Sequence, residues 1–220
     1  DNTVDLVVVI HAGFGENNGA SDDAIWSQMV QRVFGTYAGK TVRRMLFTSE
    51  LNSNEKILGR EGSFFATPRI NGIGVFCHEF GHCMGLPDLY PTVASAQTDN
   101  QGMEYWSLMD GGSYNDDSDT PCGYTAYEKD FMGWMNLSTP SPNTQYSLPA
   151  INATNPVAYK VVNDADPNEY YVLENRQLSG WDAYLPGHGM IVTRVDSTNV
   201  DVWENNQINV NPAHNYLEIL

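Results

Sequence analysis

Residues 78–88 read His-Glu-Phe-Gly-His-Cys-Met-Gly-Leu-Pro-Asp, and few stretches this short restrict a chain so strongly. Positions four apart share one face of a helix, so His78 and His82 aim two imidazoles at one point. A zinc ion accepts such nitrogens at about 2.0–2.1 Å and favours tetrahedral surroundings. Glu79 lies one residue past the first histidine, where its carboxylate reaches a metal-bound water without being a ligand itself. Zinc lowers the pKa of that water to near 7, and Glu79 is the general base that takes its proton. One helical turn thus assembles metal, nucleophile and base.

The third ligand has to come from elsewhere. Gly85 can adopt positive φ, ending the helix and reversing the chain. Pro87 stiffens the segment after that turn, and Asp88 is placed to return an oxygen to the same metal. The result, HExxHxxGxxD, resembles the metzincin pattern HExxHxxGxxH with aspartate in the last slot. Three protein ligands leave the fourth position open for water and substrate, as a catalytic zinc requires. From average residue usage, a chance match in a chain of this length is on the order of one in ten thousand. The bland alternative is a pair of core histidines without metal. The spacing predicts a helix from near Asn71 to Gly85, with Ile73, Phe76, Phe80 and Met84 as its buried apolar stripe.

Two further segments bear on this chemistry. Met109 precedes Gly111-Gly112 and fits the methionine turn that floors a metzincin zinc; alone it would be ordinary core. Tyr114, just beyond, is a candidate donor to the tetrahedral oxyanion. Asn115-Asp116-Asp117-Ser118-Asp119 offers oxygen ligands for a structural calcium ion, although without EF-hand spacing it reads first as a solvated acidic turn. The same holds for Glu16, Asn17, Asp22 and Asp23. His11 follows a strand and faces a glycine turn; His188 and His214 have no ligand spacing.

Composition narrows the partners. Eleven Lys and Arg against 27 Asp and Glu give a net charge of −16 over 220 residues. That surface repels phosphate backbones and anionic headgroups, so neither nucleic acid nor a membrane surface is an expected partner. Leu6–Ile10 is too short for a membrane span and reads as a fully buried strand. No leader peptide precedes it, so the chain reads as a trimmed or mature fragment. Cys77, Cys83 and Cys122 are no disulfide framework: the first two point apart on one helix, and the third reads as a free thiol.

The remaining pattern is α+β. Ser21 reads as an N-cap, with Ile25, Met29 and Val33 on the inward face of a helix ended by Gly35. Arg43–Glu50 reads as a strand, 86–126 as elaborated loop and Thr125–Trp134 as a short helix. Ala158–Val162, Tyr170–Glu174 and Gly189–Val195 read as strands. The expectation is one catalytic domain over 1–220. Its N-terminal lobe, 1–85, carries a mixed sheet and the active-site helix; a loop-rich and β-rich lobe, 86–220, comes after it.

The stretches VVVIHAGFGE, LFTSEL, IGVFCHEFGHCMGLPDLY, YWSLMDGGSY, PCGYTAYEKDFMGW, YYVLENRQ and LPGHGMIVTRVD together resemble the immune inhibitor A family of secreted zinc endopeptidases. The resemblance implies a metzincin-like catalytic domain, secretion with an N-terminal pro-segment, and proteins as substrates. It implies His78 and His82 as zinc ligands, Glu79 as general base and Met109 as the methionine turn. Asp88 completes the site by position; Glu128 is the alternative third ligand if Asp88 instead orients a histidine. The expected protein is a monomeric, secreted or cell-surface zinc endopeptidase acting on protein or peptide. The competing reading is an inactive binding or adhesion module on the same fold, against which the intact Glu79 argues.

Overall fold

The computed structural model describes residues 2–18, 20–52, 69–96 and 102–220. Its first sheet is built on one long strand, β4 (Lys40–Asn52). Strands β1 (Thr3–Val4) and β2 (Val7–Phe14) run parallel to successive stretches of it. Strands β3 (Gln28–Tyr37) and β5 (Arg69–Ile70) run antiparallel to it. The sheet is mixed, as expected.

Two expectations are corrected by this sheet. The segment from Ser21 is not a helix: its core is strand β3, hairpinned to β4 with Tyr37 opposite Lys40. Ala38 and Gly39 both take positive φ, +50° and +78°, the backbone of a two-residue turn whose twist suits a hairpin. A spacing of four residues is also an even number, so Ile25, Met29 and Val33 would share a strand face as readily as a helix face. Gly35 does not stop a helix; it lies within β3, where the register shifts after Gln31. Strand β2 is not buried on both faces either. Its burial alternates, and Ile10 is 67% exposed.

Helix α1 (Gly74–Cys83) comes after β5, starting three residues later than expected because Asn71 is tied to Ser49 of β4 by its side-chain amide. Its C-terminus closes as expected: Gly85 takes φ +96° and the Leu86 amide donates back to the Gly81 carbonyl, 3.1 Å. The apolar stripe does not face inward. Ile73 and Met84 are exposed, while Gly74, Val75, His78, Glu79, Gly81 and Cys83 are buried. The helix buries its chemical face, against the segment 107–118. A Cβ on Gly74 would strike the Ser113 carbonyl, and one on Gly81 would strike the Met109 sulfur.

Beyond the helix, short helices and turns lead to α2 (Ala126–Phe131), started by a capping box in which Thr125 and Glu128 satisfy each other's backbone amides. Then comes an antiparallel sheet in the order β6 (Tyr159–Asn163), β7 (Asp166–Arg176), β8 (Gly189–Asp196) and β9 (Leu217–Ile219). Helix α3 (Val200–Glu204) lies between β8 and β9. The main core gathers Leu86, Leu89, Met103 and Met109 with Val172, Val195 and Leu217 of this second sheet. The loops behind α1 are therefore packed on the C-terminal strands. Arg176, with no exposed surface, pairs with Glu174 at 3.0 Å and Asp182 at 2.6 Å. Cys77, Cys83 and Cys122 are all unbridged, and Cys122 is buried with Leu108 and Leu185.

Candidate metal centre

Helix α1 and the turn after it bring His78, His82 and Asp88 together. Asp88 Oδ1 lies 3.1 Å from His78 Nε2 and 3.2 Å from His82 Nε2, and one ligand atom from each residue falls within 4.8 Å of the others. The opposite ring nitrogens are occupied. His78 Nδ1 is 2.8 Å from the Leu108 carbonyl and His82 Nδ1 is 2.8 Å from the Leu86 carbonyl. A carbonyl only accepts, so each Nδ1 carries a proton, and in the neutral ring each Nε2 turns a lone pair inward. Asp88 Oδ1 is buried and has no hydrogen-bond partner. Two lone pairs and a carboxylate oxygen aimed at one another repel unless a cation lies among them.

The three groups are also electrostatically coupled. Burial pushes Asp88 up, but the imidazoles of His78 and His82 close beside it outweigh burial and hold the carboxyl well below the usual range. Burial pulls the His82 imidazole down, yet Asp88 and the Leu86 carbonyl leave it above its ordinary value. Glu79 is raised, chiefly by burial, against the pull of both imidazoles and the Met29 amide. That amide donates to Glu79 Oε2 at 2.6 Å. Among the described residues β3 pairs with β4 alone, so its second edge looks onto the helix at this point.

Two cavities of about 270 and 470 Å³ share Trp26, His78, Glu79 and Tyr90 in their walls. Asn17, Asp110 and Tyr114 line the first; Met29, Trp203 and Asn206 line the second. Tyr114 is 46% exposed there. Tyr90, which sequence reasoning passed over, packs its ring on His78 with centroids 6.2 Å apart. Burial and the neighbouring Asp88 push its phenol far above the ordinary range. Its signal in the sequence was position alone, two residues after Asp88.

Met109 is fully buried with its sulfur against Gly81, and its carbonyl accepts from the Leu89 amide at 2.9 Å. Glu128 is fully buried with its oxygens on the Ser107 hydroxyl and the Thr125 amide, and it is not among the clustered ligands. In the acidic loop, Asp116, Asp117 and Ser118 take positive φ. Arg69 pairs there with Asp119 and, at 3.9 Å, with Asp117, while Asp116 accepts from the Thr120 hydroxyl at 2.7 Å. His214 is 2.8 Å from Asp196, and His188 is exposed.

Known proteins share this sequence in part. The family model of the immune inhibitor A peptidase M6 catalytic domain matches residues 1–136. Immune inhibitor A of Bacillus thuringiensis subsp. alesti is 30% identical over 153 residues, 62% of this chain and 20% of that protein. Pre-pro-metalloprotease PrtV of Vibrio cholerae serotype O1, strain M66-2, is 28% identical over 164 residues, 69% of this chain and 17% of that protein. The chain thus matches a fifth or less of the length of these curated relatives.

Proposed function

We propose that this chain, which belongs to the immune inhibitor A peptidase M6 family, is the catalytic part of a secreted zinc endopeptidase with a metzincin-like site. The observation that carries the reading is the convergence of two Nε2 lone pairs and the unpartnered Asp88 Oδ1. Tetrahedral bonds of about 2.0–2.1 Å put ligand atoms roughly 3.3 Å apart, close to the separations of 3.1 and 3.2 Å here. His78, His82 and Asp88 would hold the ion. Two nitrogens and one carboxylate oxygen suit zinc. Glu128 is spent on capping α2 and on Ser107, which favours Asp88 as third ligand.

When bound, zinc supplies a polarised scissile carbonyl and a water acidic enough to attack near neutral pH. Glu79 would serve as the general base through one carboxylate oxygen while the Met29 amide holds the other, and would hand the proton on to the leaving amine. Tyr114, in the wall of the same cleft, would donate to the oxyanion. The edge of β3 beside Glu79, unpaired among the described residues, suits a polypeptide lying as an added strand, which selects extended protein segments as substrate. The name of one relative, a pre-pro-metalloprotease, supports secretion. Among the described residues no helix is long and apolar enough to cross a membrane.

The test is metal-dependent cleavage of an unfolded protein. Purified protein should bind zinc near one ion per chain, lose cleavage with a chelator and regain it when zinc is restored. Cleavage that survives complete removal of metal would reject the reading.

A further inference from the structure

Asp88 is gripped by a residue far away in the chain. Asn206 Nδ2 donates to Asp88 Oδ2 at 2.7 Å, and the Asp88 backbone amide donates to Asn206 Oδ1, also at 2.7 Å. The two contacts clamp side chain and backbone at once. Oδ2 is occupied in this way, while Oδ1, facing the imidazoles, has no hydrogen-bond partner.

Asn206 is built for the position. It comes directly after the C-cap residue of α3 and takes φ +56°, the left-handed conformation that asparagine and glycine tolerate after a helix. Its carbonyl accepts from the Thr92 hydroxyl at 2.9 Å. The Trp203 indole anchors α3 by donating to the Asp196 carbonyl, 2.8 Å, and by packing on Tyr127. Residue 206 also lies well outside the 1–136 match.

We infer that Asn206 is a positioning residue for the metal: it fixes the Asp88 carboxylate so that Oδ1 alone is presented, making the α3 segment part of the metal centre. Partners that orient a metal-binding carboxylate from behind typically govern affinity by 10–100-fold. The inference rests on the metal reading proposed above.

Asn206→Gly keeps the backbone conformation and removes both contacts. Asn206→Asp keeps the size and the acceptor for the Asp88 amide but sets a carboxylate against Oδ2. Zinc affinity, measured by chelator competition, should fall about 10- to 100-fold in both variants. The visible spectrum of bound cobalt(II) should also shift as Asp88 loses its set orientation, with metal-free unfolding midpoints near the parent value. Parental zinc affinity and an unchanged cobalt spectrum in both variants would overturn the inference while leaving the metal reading intact. If the parent protein takes up no zinc, the metal reading falls and the role of Asn206 falls with it.

Discussion

The backbone amide of Met29 and the carboxylate of Glu79 form a 2.6 Å hydrogen bond across fifty residues of sequence. It joins the second edge of β3 to the helix that carries both histidines. One Glu79 oxygen is thereby oriented by the strand on which a substrate would lie, so the proposed base and its substrate would share a reference frame.

Replacing Glu79 should separate chemistry from metal binding. Glu79→Gln keeps the shape and the acceptor for the Met29 amide but no longer takes a proton. Peptide cleavage should drop by about 10²–10⁴-fold, with zinc content per chain unchanged by elemental analysis. Retained activity would remove Glu79 from the mechanism.

Gly81 lies where helix α1 meets Met109, and an added methyl there would collide with the thioether sulfur. Gly81→Ala should destabilise the fold by about 1–3 kcal/mol, since overpacking outweighs the gain in helix propensity. Denaturant titration reads the change; a stabilised variant would show that the segment behind the helix yields freely.

Arg176 is buried between Glu174 and Asp182. Arg176→Met leaves two buried carboxylates without their cation and should cost about 3–5 kcal/mol. A drop in denaturation midpoint corresponding to less than about 1 kcal/mol would mean that the carboxylates find protons or other partners.

The hairpin turn offers a gain. Ala38 holds φ +50° ahead of Gly39, a conformation that costs an alanine about 1–2 kcal/mol. Ala38→Asn should recover roughly 0.5–1 kcal/mol, because Asn-Gly suits this turn. A lower melting temperature in the variant would count against the turn geometry.

Asp196 supplies a pH dependence. Burial raises its carboxyl, but the Thr198 hydroxyl and amide and the His214 ring bring it below its ordinary value. A depressed folded pKa contributes stability that is fully present above the unfolded value of about 3.9 and is lost as pH falls through the folded one. The stability gap between parent and Asp196→Asn should therefore hold steady above about pH 5 and narrow below about pH 4. A gap that widens on acidification would reverse the assignment.

Local periodicity made part of this protein legible in its sequence. Histidines four apart, a glycine free to take positive φ and an aspartate three residues later are facts about one helical turn, and folding brought His78, His82 and Asp88 to one point. The strands β6, β7 and β8 were readable for a similar reason, since short apolar runs between turn residues leave little choice of conformation. Packing decided the rest. The four-residue spacing from Ile25 to Val33 fits helix and strand alike, and only pairing with β4 selected the strand. The apolar positions of α1 suggested a buried stripe, yet the helix turned its polar face inward, where Met109 and Ser113 approach Gly81 and Gly74 so closely that a Cβ on either glycine would clash. Asn206 could not be read at all: its hold on Asp88 spans 118 residues, and no local pattern encodes a contact that exists only once two sheets have been brought together.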